Sequence, residues 1–241
     1  MELFIDTANV EEIAEAILWG CVSGATTNPM IMSKEKSGYN FHDKIMKIVD
    51  LVKNPVSVEV TEESVEGMVK EAKIYASWHP YIAIKIPMGI EGLKAVSILE
   101  KEENVRTNVT AIMATNQALL AALSGATYAS IFYGRVSDMG YDPTEVISQT
   151  AKLYRAGNLK TKIIVGSIRN MLDINKAFLA GADIVTVPFK FLKAMTQNLK
   201  TEETVKEFNG IWKEMKDKGL IHLDVVEKRI SPSLTLVGKS R

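Results

Sequence analysis

The chain has 241 residues, 46% of them apolar, and 29 Lys+Arg balance 29 Asp+Glu, so the net charge is zero. That is an ordinary globular composition, and neutrality argues against nucleic acid as a partner, because neutralising phosphates requires a basic surface. The single cysteine, Cys21, excludes an intramolecular disulfide and, in apolar surroundings, reads as a small buried side chain in a reducing compartment.

The opening run Met1-Glu-Leu-Phe-Ile-Asp6 lacks the basic region and cleavage site of a signal peptide, and no stretch reaches the roughly 18 apolar residues of a membrane span. The chain therefore reads as cytoplasmic, with no membrane contact. Residues 3–6 predict a strand. Residues 10–19 predict a helix capped by Asn9, with Ile13, Ala14, Ile17 and Leu18 at helical spacing. Further strands are expected at 22–27, 56–60, 82–86, 108–112, 128–132, 163–166 and 184–187. Helical patterns fill 41–52, 64–76, 92–100, 116–122, 144–154, 171–179 and 189–196. Strict alternation implies parallel strands joined by helical crossovers. Eight units of about 30 residues approach the size of one (β/α)8 TIM barrel, expected over 1–200. A doubly wound open sheet is the alternative, but no Gly-x-Gly-x-x-Gly turn follows the first strand. Beyond the barrel, 201–241 predict an extra C-terminal helix at 202–218 and a tail. Phe208, Ile211, Trp212 and Met215 share one side of that helix, a stripe needing cover from the barrel or from a neighbouring subunit.

A barrel of this kind carries its chemistry at the C-terminal ends of its strands. There the sequence places Asp6, then Thr26-Thr-Asn28, Glu59, Lys85, Asn108 and Thr110, Ser130, and Ser167 with Arg169. Lys85 is the most informative, because Ala83-Ile-Lys85-Ile-Pro87 sets an amine inside an apolar strand. Burial disfavours the ammonium, and a neutral amine attacks carbonyls to form a Schiff base. The competing reading is an interior lysine paired with Asp6 or Glu59 for structure alone. Those two carboxylates are also what Schiff-base chemistry needs to move protons, although each has a plainer role open to it, at a strand end or on a surface. Gly166-Ser-Ile-Arg169 has the makings of an anion site, with Arg135 as a second cation; otherwise Arg169 is a surface residue at a helix end. His42, His79 and His222 lack metal-ligand spacing, so no metal is expected. The 11 methionines read as core filler and the three tryptophans as packing anchors. The acidic run at 100–103 reads as a solvated helix end.

The motifs Phe4-Ile-Asp6-Thr-Ala-Asn9, Thr26-Thr-Asn-Pro29, Ile84-Lys-Ile-Pro87, Thr107-Asn-Val-Thr110 with Asn116-Gln-Ala-Leu-Leu120, and Gly166-Ser-Ile-Arg169 stand in the order of one family. Over about residues 1–215 the chain resembles the small transaldolases and fructose-6-phosphate aldolases, class I enzymes that need no cofactor. The resemblance implies that Lys85 forms a Schiff base with the ketose C2 carbonyl. Asp6 would take the C4 hydroxyl proton, and Glu59 with Thr110 would activate the water of Schiff-base formation and hydrolysis. Asn28, Asn108 and Ser130 would bind the three-carbon unit, with Thr26 and Phe132 beside them, and Arg135, Ser167 and Arg169 would bind the terminal anion. The aldolase branch resembles this chain less at three places: it carries Gln where Glu59 stands, Tyr at Phe132, and a small residue without a hydroxyl at Ser130. Transfer of dihydroxyacetone to an acceptor such as glyceraldehyde 3-phosphate is therefore ranked above its release. Pro29-Met-Ile-Met32, Ile112-Met-Ala-Thr115 and Tyr133-Gly134 depart from the family pattern, so the donor is a sugar phosphate or a sugar sulfonate such as 6-deoxy-6-sulfofructose. A sugar-phosphate-binding barrel without catalysis is the alternative from another class. The family's quaternary form implies a homo-decamer of two pentamers, with the C-terminal helix against a neighbour.

Overall fold

Valine, isoleucine and threonine dominate the strand segments, and their branched side chains suit a pleated surface packed on both faces. The computed structural model describes residues 1–35 and 38–221. In chain order the elements are β1 (Glu2–Asp6), α1 (Val10–Leu18), β2 (Val22–Thr26), α2 (Pro29–Met32), α3 (Phe41–Val52), β3 (Val56–Glu59), α4 (Val65–Trp78), β4 (Ile82–Pro87) and α5 (Ile90–Lys101). They continue with β5 (Thr107–Ile112), α6 (Thr115–Leu123), β6 (Tyr128–Phe132), α7 (Tyr133–Asp138), α8 (Pro143–Ala156), β7 (Lys162–Gly166), α9 (Met171–Ala180), β8 (Ile184–Val187), α10 (Phe189–Met195) and α11 (Leu199–Asp217). The eight strands are all parallel and form a closed barrel in sequence order, β8 pairing back onto β1. The fold is a (β/α)8 TIM barrel, and the closing β1–β8 pair removes the open-sheet alternative.

Period-two alternation sorts each strand into two faces. Outward residues such as Ile5, Ala25, Val58, Ile84, Val109, Ile131, Val165 and Val187 belong to the large core between barrel and helices. Inward, Phe4, Ala83, Tyr128, Ile164 and Ile184 form a separate apolar plug in the lower barrel. Gly24 is required by that plug: a Cβ there would fall 2.4 Å from the Phe4 ring. The registers Leu3↔Val22 and Ile5↔Ala25 show that β2 bulges beside it, three residues against two. One inward position above the plug stand Asp6, Thr26, Lys85, Ser130 and Thr186, so the floor of the upper barrel is polar.

Side-chain caps fix several helix starts. Asn9 accepts from the Glu12 N–H at 3.0 Å, and Asn170 and Asp173 form a reciprocal capping box on α9. The short helices α2 and α7 escape periodicity, because four and six residues complete too few turns. One compact unit spans Met1–Thr196 and a second begins at Gln197. In that second unit α11 is capped by Asn198 and has no buried residue; Phe208 is 62% exposed. His222 and the tail to Arg241 lie outside the described residues.

Several packing expectations are corrected. Cys21 is exposed, standing at the barrel's lower rim between the Gly20 turn and β2. Among the described methionines only Met32 and Met68 are buried, while Met1, Met30, Met139, Met171 and Met195 are exposed. Trp19 and Trp78 do pack on the core, but Trp212 is exposed. Glu100 is no solvated helix end: its carboxylate accepts from Thr107 N and Oγ1 at 2.6 and 2.7 Å and from Thr127 N and Oγ1 at 2.8 and 2.9 Å, tying α5 to the starts of β5 and β6.

Candidate functional site

The strand ends open into a cavity of about 590 Å³, and eleven of the twelve residues singled out from the sequence line it: Asp6, Thr26, Asn28, Glu59, Lys85, Thr110, Ser130, Phe132, Arg135, Ser167 and Arg169. Asn108 does not. It is fully buried beneath, donating to Ser57 Oγ at 3.0 Å and accepting from Ser130 Oγ at 2.7 Å. Its function in the geometry is to direct the Ser130 hydroxyl proton inward, which leaves the Ser130 oxygen as an acceptor toward the cavity.

Lys85 is 4% exposed. Its Nζ lies 3.2 Å from Glu59 Oε2, donates to the Thr27 carbonyl at 3.2 Å, and sits 5.8 Å from the centre of the Phe132 ring. The register Glu59↔Lys85 on β3 and β4 brings amine and carboxylate side by side. Across the floor, Asp6 accepts from Thr26 Oγ1 at 2.7 Å. Because that hydroxyl donates to Asp6, the 2.5 Å contact between Thr26 and Thr186 has Thr186 as donor, giving a chain from β8 through β2 to β1. Burial pushes the Asp6 carboxyl above its ordinary range, against the opposing pull of Lys85, the Thr26 hydrogen bond and Lys34. A carboxylate so placed is a stronger base than one in water.

Thr110 lies two residues beyond Asn108 on the same face of β5, where a bulge begins. Val109 pairs with Ala129 but Ile112 pairs with Ile131, so Thr110 and Ala111 together oppose Ser130. Ala111 takes a left-handed φ of 57° to do so. Thr110 Oγ1 is a buried hydroxyl with no hydrogen-bond partner in the described chain, on the cavity wall. Bulges recur beside functional sites. Ser167 also adopts a left-handed φ, 58°, and such a conformation costs a non-glycine residue roughly 1–2 kcal/mol.

At the outer end, Asn28 uses its carbonyl oxygen to cap α2 through the Ile31 N–H at 2.8 Å, leaving its amide NH2 as a donor. The Arg169 backbone N–H donates to Asp173 at 3.0 Å, and its guanidinium forms a two-pronged pair with Asp138. Sequence reasoning missed Lys34 and Thr186, which line the cavity, and Asp138 beside it. The Asn28-Pro29 helix start was the available signal for Lys34. Thr186 carries none, since threonine in a strand reads as an ordinary branched residue. Among the described residues no cluster of three metal-ligating side chains occurs and no helix is long and apolar enough to cross a membrane.

The chain is 46% identical over 219 residues to a protein of Caldicellulosiruptor saccharolyticus named "Probable transaldolase", covering 90% of this chain and all of that one. It is 45% identical over 216 residues to another of the same name from Carboxydothermus hydrogenoformans, again covering 90% and all of it. The flavin-binding domain of baker's yeast flavocytochrome b2 superposes with a TM-score of 0.55 over 78% of this chain and 57% of that one; at 13% identity this likeness concerns the fold alone. The family model "Transaldolase/Fructose-6-phosphate aldolase" matches residues 3–234, and the chain belongs to that family.

Proposed function

We propose that the protein is a transaldolase that moves a dihydroxyacetone unit from an anionic ketose, such as a ketose 6-phosphate, to an aldehyde acceptor through a Schiff base on Lys85. The observation that carries this reading is the buried Lys85 amine, 3.2 Å from Glu59 on the floor of a cavity whose opposite wall holds Asp6. The proton that Lys85 must lose passes to Glu59, and the free amine attacks the ketose C2. The carbinolamine loses water as Glu59 returns a proton, giving an iminium. Asp6 then takes the C4 hydroxyl proton, the C3–C4 bond breaks, and its electron pair enters the iminium to form an enamine while an aldehyde departs. Attack of the enamine carbon on the acceptor aldehyde, with Asp6 returning the proton, reverses the sequence on a new sugar. The Thr110 hydroxyl and Glu59 hold the water that releases the product.

Asn28 and Ser130 bind the hydroxyls of the three-carbon unit, with Thr26 and Phe132 walling it. Asn108 acts through Ser130. Arg135, Ser167 and Arg169 receive the terminal phosphate, or equally a sulfonate, since both offer tetrahedral oxyanions to the same donors. The names of the relatives, together with Glu59, Ser130 and Phe132, support transfer over release of free dihydroxyacetone. The exposed Phe208, Ile211 and Trp212 of α11 support a homo-oligomer, proposed as a decamer and measured by sedimentation; a monomer would refute it.

The test is intact-mass spectrometry after incubation with fructose 6-phosphate or 6-deoxy-6-sulfofructose and borohydride, followed by peptide mapping. A reduced adduct on Lys85 is expected with at least one donor. An unmodified lysine with both would favour a binding barrel and overturn the proposal.

A further inference from the structure

Three cations line the outer cavity: Lys34, Arg135 and Arg169. Among the described residues only Arg169 of these three forms an ion pair. Its Nη1 and Nη2 each donate to one carboxylate oxygen of Asp138, a two-pronged contact. Asp138 ends α7, the same six-residue helix that carries Arg135. The hydrogen bond from Arg169 holds its carboxyl below the usual range, with Arg135 adding to the attraction, so Asp138 answers to both arginines.

The helix is brought this close by a glycine. A Cβ on Gly134 would fall 2.5 Å from Arg169 Nε and 2.6 Å from the Ser167 carbonyl oxygen, and the Gly134 N–H donates to that carbonyl at 3.0 Å. Arg169 therefore has its Nε edge against Gly134 and its outer edge against Asp138. Both side chains of the pair remain about half exposed, 50% and 43%, so water screens the contact and an incoming anion competes for the same guanidinium.

We propose that Asp138 sets the charge preference of the anion subsite, lowering the positive potential of Arg135 and Arg169 so that a singly charged terminal group gains on a doubly charged one. A fixed negative charge repels a ligand in proportion to the ligand's own charge, so its effect on the logarithm of affinity is twice as large for a dianion as for a monoanion. Asp138 is a specificity-determining residue and takes no part in bond making. The proposal rests on the reading above for the location of the sugar's anionic end.

The experiment titrates the full chain and its Asp138→Asn variant at constant ionic strength with sulfate, a dianion, and methanesulfonate, a monoanion, following anion-induced thermal stabilisation. The isosteric amide is expected to tighten methanesulfonate about 3-fold and sulfate about 10-fold, the scale of one solvent-screened charge. Arg135→Gln is the positional control and should abolish the stabilisation. Equal tightening of both anions would overturn the proposal. So would weakening of both, which would make Asp138 a residue that merely positions Arg169, and so would a titration indifferent to Arg135→Gln, which would put the anions elsewhere. Since this readout involves no turnover, it stands apart from the Lys85 adduct: either result can fail while the other holds.

Discussion

Replacing Thr110 by valine separates what the fold needs from what the reaction needs. The side chain keeps its shape, and the only group lost is a hydroxyl that makes no hydrogen bond within the described chain. No intramolecular bond is therefore broken. A buried hydroxyl without a partner costs about 1–3 kcal/mol, so the variant should be as stable as the parent or gain up to that amount. For a chain of this length each kcal/mol moves the midpoint by roughly 2–4 °C, which predicts a Tm between unchanged and about 12 °C higher. Activity should move the other way. If Thr110 holds the water of the proposed Schiff-base turnover, losing that hydrogen bond, worth about 1.4–2 kcal/mol in the transition state, lowers kcat some 10–30-fold. Thermal unfolding and a coupled transfer assay on the same preparation measure both. A Tm lower by more than about 4 °C would mean that the hydroxyl holds the bulge together, and an unchanged kcat would remove Thr110 from the chemistry.

Other changes probe separate parts of the molecule. Glu100→Ala strands two backbone N–H groups and two hydroxyls at the starts of β5 and β6, and should cost about 2–4 kcal/mol, lowering Tm by roughly 4–16 °C in a melt. Asp6 has its carboxyl raised by burial, so its ionised form is disfavoured in the folded state; the associated stability is present at low pH and lost as pH rises through the raised value. Asp6→Asn should accordingly melt higher than the parent at pH 7, with the difference shrinking toward pH 4, while carbon–carbon cleavage is lost; a gain that grows on acidification would contradict the sign. Gly134→Ala forces Arg169 and Ser167 aside and should raise KM for an anionic donor about 10-fold while leaving that for unphosphorylated fructose unchanged, as steady-state kinetics will report.

The barrel was legible because its evidence is repeated: each strand is a short branched run, and eight alternations leave little choice of architecture. Lys85 was legible for a different reason, since an amine within Ile-Lys-Ile conflicts with its surroundings and demands an explanation. Glu100 was misread because its partners, Thr107 and Thr127, are 7 and 27 residues away, beyond any local pattern. Asn108 and Thr110 were both read from strand position, but position alone does not show that Asn108 is taken up by Ser57 and Ser130 beneath the cavity while Thr110 lines it. Asp138 stayed hidden because its meaning depends on α7, whose contact with Arg169 requires the bare backbone of Gly134.

The hydroxyl relay that joins Thr186 on β8, through Thr26, to Asp6 on β1 bears on how the protein is made. Asp6 precedes Thr186 by 180 residues, and the sheet closes only when their strands meet. Long-range parallel pairing of this kind forms late in folding. A chain cut before β8 thus carries Asp6, Glu59 and Lys85 in a barrel that is not closed and without the Thr186 end of the relay, so the proposed activity requires ring closure. Under the proposed mechanism, the appearance of activity during refolding becomes a direct reporter of the last strand joining the first.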